Sequence, residues 1–121
     1  MSASRRIHVA RYPLTDGRRI DVDVWYPTLR DIARRYFLSV QPVTVRPDGI
    51  TVYTPTEGYR VGLDEAPRFN ARKLEALAAD PAVLDMARLV VERVREDEAT
   101  REAIRTGALG RVLPADDPRP F

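Results

Sequence analysis

The spacing of apolar residues changes period for good at Asp64, and that switch constrains the fold more than any other feature. Up to Leu63, apart from a short helical stretch after Pro27, apolar and polar residues alternate in short runs, the two-residue period of strands. Beyond it they recur every three or four residues, the period of helices. A chain patterned this way is expected to form an α+β domain: an antiparallel sheet of four to five strands with helices packed on one face. The expected order is β-β-α-β-β(-β)-α-α. Residues 1–107 form a single domain, strand-rich over 5–63 and helical over 64–107, and residues 108–121 form a Pro-rich tail. A length of 121 residues suits one such domain.

Residues 5–26 read as a β-hairpin turning at Asp16-Gly17, a two-residue turn signal. That turn pairs Val9 with Val24, Ile7 with Tyr26 and Arg11 with Val22. The inner face then holds Ile7, Val9, Ile20, Val22, Val24 and Tyr26. The outer face holds His8, Tyr12, Asp21, Asp23 and Trp25, with His8 opposite Trp25 and Tyr12 opposite Asp21. Pro27-Thr28 predicts the start of a short helix, with Thr28 as N-cap and Asp31 at its third position. Leu29, Ile32, Ala33, Tyr36 and Phe37 share one side of it, Arg30 and Arg34 the other. A second hairpin is expected over 40–54, turning at Arg46-Pro47-Asp48-Gly49 and setting Val43 and Val45 against Ile50 and Val52. Tyr59, Val61 and Leu63 alternate as a further strand.

After the switch, Asn70 is the expected cap of a helix over 71–79 that buries Leu74, Leu77 and Ala78. Asp80-Pro81 ends it and starts the next, since Asp caps well and Pro suits a first turn. This last helix, over 81–106, carries an apolar stripe of Val83, Ala87, Val90 and Val94 and then turns almost wholly charged until Ile104. Its charged end is expected to be solvated or packed on a partner, and Gly107 to stop it.

Composition matters most for what it excludes. Without cysteine there is no disulfide, thiol nucleophile or thiolate metal site, and one histidine leaves zinc ligation and Ser-His hydrolysis poorly supplied. No Walker loop or dinucleotide fingerprint is present, so no cofactor is expected. No run of apolar residues approaches the ~18 that a membrane helix needs, and the polar first residues lack a secretory stretch. A cytoplasmic protein without membrane contact is the expectation. Residues 1–63 hold ten arginines against six acids, a net +4, while residues 64–121 net −2. The basic excess therefore sits on the strand-rich half, where a polyanion would dock.

Two constellations carry chemistry. Asp16, Asp21 and Asp23 cluster in the first hairpin; alternating Asp is the pattern of a wet strand face and equally of two Mg²⁺ ligands in a nuclease. The aromatic set is broader: Trp25, Tyr12, Tyr53 and Tyr59 on or near the hairpin's outer face, flanked by Arg6, Arg19, Arg30 and Arg34. Aromatic rings on a sheet edged by arginine describe a platform for single-stranded nucleic acid, with bases stacking on rings and phosphates neutralised at the edges. The same rings serve as core if the helices cover that face.

The last six residues, Asp-Asp-Pro-Arg-Pro-Phe, resemble the acidic tip of bacterial single-stranded DNA-binding proteins, matching at Asp116, Asp117, Pro120 and Phe121 and departing at Arg119. The resemblance implies a docking peptide for protein partners. In layout the chain is also similar to the archaeal, non-OB single-stranded DNA-binding proteins called ThermoDBP. These join a strand-and-helix domain with a basic-edged aromatic cleft to a helical assembly segment. That likeness implies a thermophilic DNA-binding protein that forms a homodimer. The expected function is non-catalytic binding of single-stranded DNA. The alternatives are an accessory factor, viral in one version, that binds protein through its last helix and tail, and a nuclease built on Asp21 and Asp23.

Overall fold

The computed structural model describes residues 5–15, 17–28, 34–53 and 57–107. Five strands precede two helices: β1 (Arg6–Pro13), β2 (Arg18–Trp25), β3 (Arg35–Val45), β4 (Thr51–Tyr53), β5 (Tyr59–Glu65), α1 (Ala71–Ala79) and α2 (Pro81–Arg105). The protein is an α+β fold on one antiparallel sheet in the order β1-β2-β3-β4. The far edge of the long β3 is shared, β5 pairing its first half and β4 its last three residues. Among the described residues, no helix is long and apolar enough to cross a membrane.

Alternation along the central strands builds the core. Ile20, Val22 and Val24 of β2 and Tyr36, Leu38 and Val40 of β3 are fully buried on one face of the sheet. Leu74 and Leu77 of α1, with Val83, Ala87, Val91 and Val94 of α2, cover them. Each such aliphatic side chain contributes ~1.5–3 kcal/mol by leaving water. The helices begin where the sequence signals them: Asn70 accepts from Lys73 N at 3.1 Å, and Asp80 accepts from Ala82 N at 2.9 Å. Two buried tyrosines fasten the sheet to the segment that leads into α1 through their hydroxyls. Tyr26 donates to the Ala66 carbonyl at 2.7 Å, and Tyr36 accepts from Asn70 N at 3.0 Å.

Several local expectations need correction. The first hairpin closes through a three-residue loop, with Leu14 N donating to Arg18 O and Gly17 at φ +74°, one residue longer than the turn expected. A bulge between His8 and Ala10 then shifts the register again, so Ile7 faces Val24, Ala10 faces Val22 and Tyr12 faces Ile20. In the second hairpin the turn forms as expected, with Gly49 at φ +87° and Asp48 Oδ1 accepting from Ile50 N. Its register differs by one residue: Val45 faces Thr51 and Val43 faces Tyr53, leaving Ile50 and Val52 exposed on the other side. Tyr36 and Phe37 belong to β3 and not to a helix, because β2 offers them a full antiparallel partner. The rest of that expected helix, Leu29, Arg30, Asp31, Ile32 and Ala33, lies outside the described residues, as do Asp16 and the tail over 108–121.

On α2 it is Val91, not Val90, that takes the buried place in the stripe. The charged stretch after Val94 is tied to the sheet on its inner side: Arg18 of β2 donates to Glu98 at 2.7 Å and to Glu57 at 2.8 Å, and the Tyr59 hydroxyl donates to Asp97.

Candidate nucleic-acid interface

The helices cover one face of the sheet and leave the other open. In β2 the residues on the open face are Arg19, Asp21, Asp23 and Trp25, since Ile20, Val22 and Val24 between them are buried under the helices. In β3 the corresponding residues are Phe37, Ser39, Gln41 and Val43. Trp25 and Phe37 are cross-strand neighbours, and their rings stack with centroids 5.1 Å apart and planes 29° from parallel. Arg6 of β1 is the neighbour of Trp25 on the other side and sets its guanidinium 5.3 Å from the indole centre. Arg60 of β5, opposite Ser39, reaches both rings, 5.0 Å from Phe37 and 5.9 Å from Trp25. Four strands thus deliver two stacked rings and two cations to one place. Phe37 is only 8% exposed although neither α1 nor α2 covers it, because Trp25 and Arg60 lie on it.

From this cluster a groove of about 590 Å³ runs across the open face to Thr51 and Tyr53 of β4, where Tyr53 stands 61% exposed. Val43, the neighbour of Tyr53, lies six steps along β3 from Phe37, so the groove is ~20 Å long at ~3.4 Å per strand residue. The two carboxylates within it are covered by cations. Asp23 lies 3.1 Å from Arg6 Nη1 and 3.0 Å from His8 Nδ1; Asp21 lies 2.9 Å from Arg19 Nε and 3.6 Å from Arg11 Nε. With Arg60, four arginines surround two acids, and the open face keeps a positive excess.

Not every expected residue reaches this face. Trp25, Tyr53, Arg6 and Arg19 are there. Tyr12 is not: the bulge turns it to the helix side, opposite Ile20, where Arg95 of α2 lies 5.7 Å from its ring. The same bulge brings Arg11 to the open face against Asp21. Tyr59 borders the groove, but it pairs with buried Val40 and its hydroxyl is held by Asp97, so its ring belongs to the helix side. His8 faces Asp23 and not Trp25. Arg34 lies before β3, away from the groove, donating to the Pro67 carbonyl at 3.1 Å. Arg30, Asp116, Asp117, Pro120 and Phe121 lie outside the described residues.

Phe37 and Arg60 are the members that sequence reasoning missed. Arg60 follows from alternation once Tyr59 and Val61 are found on the helix side, since the residue between them must face away. Phe37 was hidden by its helical spacing with Ile32 and Ala33. For the nuclease alternative, Asp21 and Asp23 do share a strand face, but each is engaged by guanidinium groups. Among the described residues no three groups of metal-ligating type come together. Comparisons with protein-family models, curated proteins and solved structures found no match.

Proposed function

We propose that this protein binds single-stranded DNA on the open face of its sheet, as a binding module and not as a catalyst. The observation that carries the reading is the Trp25–Phe37 stack, flanked by the guanidiniums of Arg6 and Arg60, at the head of a groove that ends on exposed Tyr53. Bases have π-faces whatever their sequence, and each one stacked on an aromatic ring or guanidinium contributes ~1–3 kcal/mol. Arg6 and Arg60 already lie against rings, so a base replaces one planar group by another while the displaced guanidinium turns to a phosphate. The pairing of Asp21 and Asp23 removes the repulsion that bare carboxylates would offer the backbone. A duplex hides its base faces, and a groove lined by rings therefore favours a single strand.

Fluorescence anisotropy of labelled single- and double-stranded oligonucleotides, at low and moderate salt, tests the proposal. The single strand should bind more tightly, weaken with salt, and quench Trp25, the one tryptophan. Absence of binding at low salt would overturn it.

A second reading, contact with a protein through α2, draws on Leu89 and Met86, which are 75% and 37% exposed on that helix. It predicts a defined oligomer or complex that Leu89→Asp disrupts while DNA affinity stays unchanged.

A further inference from the structure

The charged side chains of the sheet follow a rule with an exception. Around the open face and the sheet edges, arginines meet carboxylates: Arg6 with Asp23, Arg11 and Arg19 with Asp21, Arg18 with Glu57 and Glu98, Arg35 with Glu65. Among the described residues, Arg60, which lies on the rings of the open face, meets no carboxylate, and neither do Arg5, Arg34 and Arg68. The last three converge on a pocket of about 370 Å³ at the end of the sheet, where β1 and β3 begin and β2 ends, and its described lining contains no acid. Arg5 lies 5.1 Å from the centre of the Phe69 ring and 5.9 Å from that of Tyr26, and donates to the Pro27 carbonyl at 3.5 Å. Arg34 is held by the Pro67 carbonyl. Two of the three guanidiniums are therefore positioned by rings and carbonyls, which hold them in place without neutralising them.

Three like charges around one small cavity repel one another, and an anion relieves that repulsion while accepting from several of the guanidinium hydrogens that no carbonyl takes. We infer that this pocket is a phosphate subsite, and that the phosphate it takes is the terminal phosphate of the strand lying on the open face. A terminal phosphate carries close to two negative charges at neutral pH and three acceptor oxygens, which suits three arginines better than a singly charged internal phosphodiester. The two sites meet at the start of β1 from opposite sides of the sheet: Arg5 lines this pocket and Arg6, its neighbour in the chain, lines the groove, so a strand leaving the groove past Arg6 reaches the pocket by turning over the end of the sheet. The assignment of the phosphate to a strand rests on the proposed DNA-binding function; the phosphate chemistry of the pocket does not.

Two measurements on the full chain test it. In the first, inorganic phosphate is titrated at constant ionic strength while the arginine Nε–H signals are followed by NMR. Saturable shifts should appear at Arg5, Arg34 and Arg68, and vanish in the doubly substituted R34A/R68A protein, whose remaining spectrum should be unchanged. In the second, oligothymidylates with and without a 5′-phosphate are compared, then the same pair with a 3′-phosphate. One of the terminal phosphates should raise affinity at least about tenfold in the wild type and leave it unchanged in R34A/R68A. Shifts spread evenly over all arginines, with no gain from either terminal phosphate, would overturn the subsite. Saturable phosphate binding with no oligonucleotide binding would retain the pocket and overturn the DNA reading. Saturable phosphate binding with oligonucleotides that bind alike, whatever their ends, would overturn the assignment to a strand terminus in favour of a free phosphate or mononucleotide.

Discussion

The two faces of the sheet are built from the same strands, alternate residue by alternate residue, and yet they hold together by different physics. On the helix side, Ile20, Val22, Val24, Leu38 and Val40 are sealed under α1 and α2, with buried tyrosines whose hydroxyls are satisfied by backbone. On the open side the large rings of β2 and β3, Trp25 and Phe37, are covered by guanidiniums and by each other. Helices are a permanent lid, fixed by a continuous apolar stripe. Arginines are a replaceable one, since a cation over a ring contributes only ~0.5–2 kcal/mol and its charge is equally at home on a phosphate. The difference separates a face that makes the fold from a face that is free to bind.

That contrast can be broken by substitution. The largest effect is expected from Leu38→Ala, which opens a cavity under both helices: a loss of about 2–5 kcal/mol in urea denaturation, with DNA affinity of the folded protein unchanged. Trp25→Ala should act the other way round. It should lower single-strand affinity by ~1–3 kcal/mol in anisotropy, with a stability loss smaller than that of Leu38→Ala. A Trp25→Ala protein that fails to fold would place the indole in the core and end the platform reading. Arg18→Met removes the half-buried clamp between β2, Glu57 and α2, and is expected to cost about 1–2 kcal/mol of stability with no change in binding. Tyr53→Ala, at an exposed ring, should leave stability within ~0.5 kcal/mol and weaken single-strand binding several-fold.

The smallest effect belongs to neither face. At the end of α2 the Arg105 guanidinium, by hydrogen bonding, holds the Glu102 carboxyl below its ordinary value. A carboxyl with a lowered folded-state value stabilises the fold above its unfolded value, and that contribution fades as pH falls through the folded one. An NMR titration of Glu102 should therefore show an acid-shifted midpoint that Arg105→Gln restores, with hardly any change in unfolding, because the pair is fully solvated.

Much of this molecule is legible from local chemistry. Asn70 and Asp80 cap the helices they were expected to cap, and Leu74, Leu77, Val83, Ala87 and Val94 are buried as their spacing predicts. Gly49 takes the positive φ that its turn requires. The site was harder. Trp25 and Arg6 lie on the open face as alternation from Val24 and Ile7 implies, but Tyr12, five residues along, does not. One extra residue at the bulge reverses every side chain beyond it, and neither Val9 nor Ala10 signals that bulge. Phe37 fitted a helix as well as a strand by spacing, and only the availability of β2 as a partner decides between them.

By itself the sequence determined those features whose causes lie within a few residues: the caps, the glycine turns, the two periods and the α+β class that follows from them. The tertiary structure alone decided which face the helices cover, the register of β1, and the meeting of Trp25, Phe37, Arg6 and Arg60 from four strands. Those outcomes depend on contacts between residues far apart in the chain, as much as 80 positions from Arg18 to Glu98. No local propensity encodes such pairings, because the energy that selects them arises only when the whole sheet and its helices bury their apolar surface together.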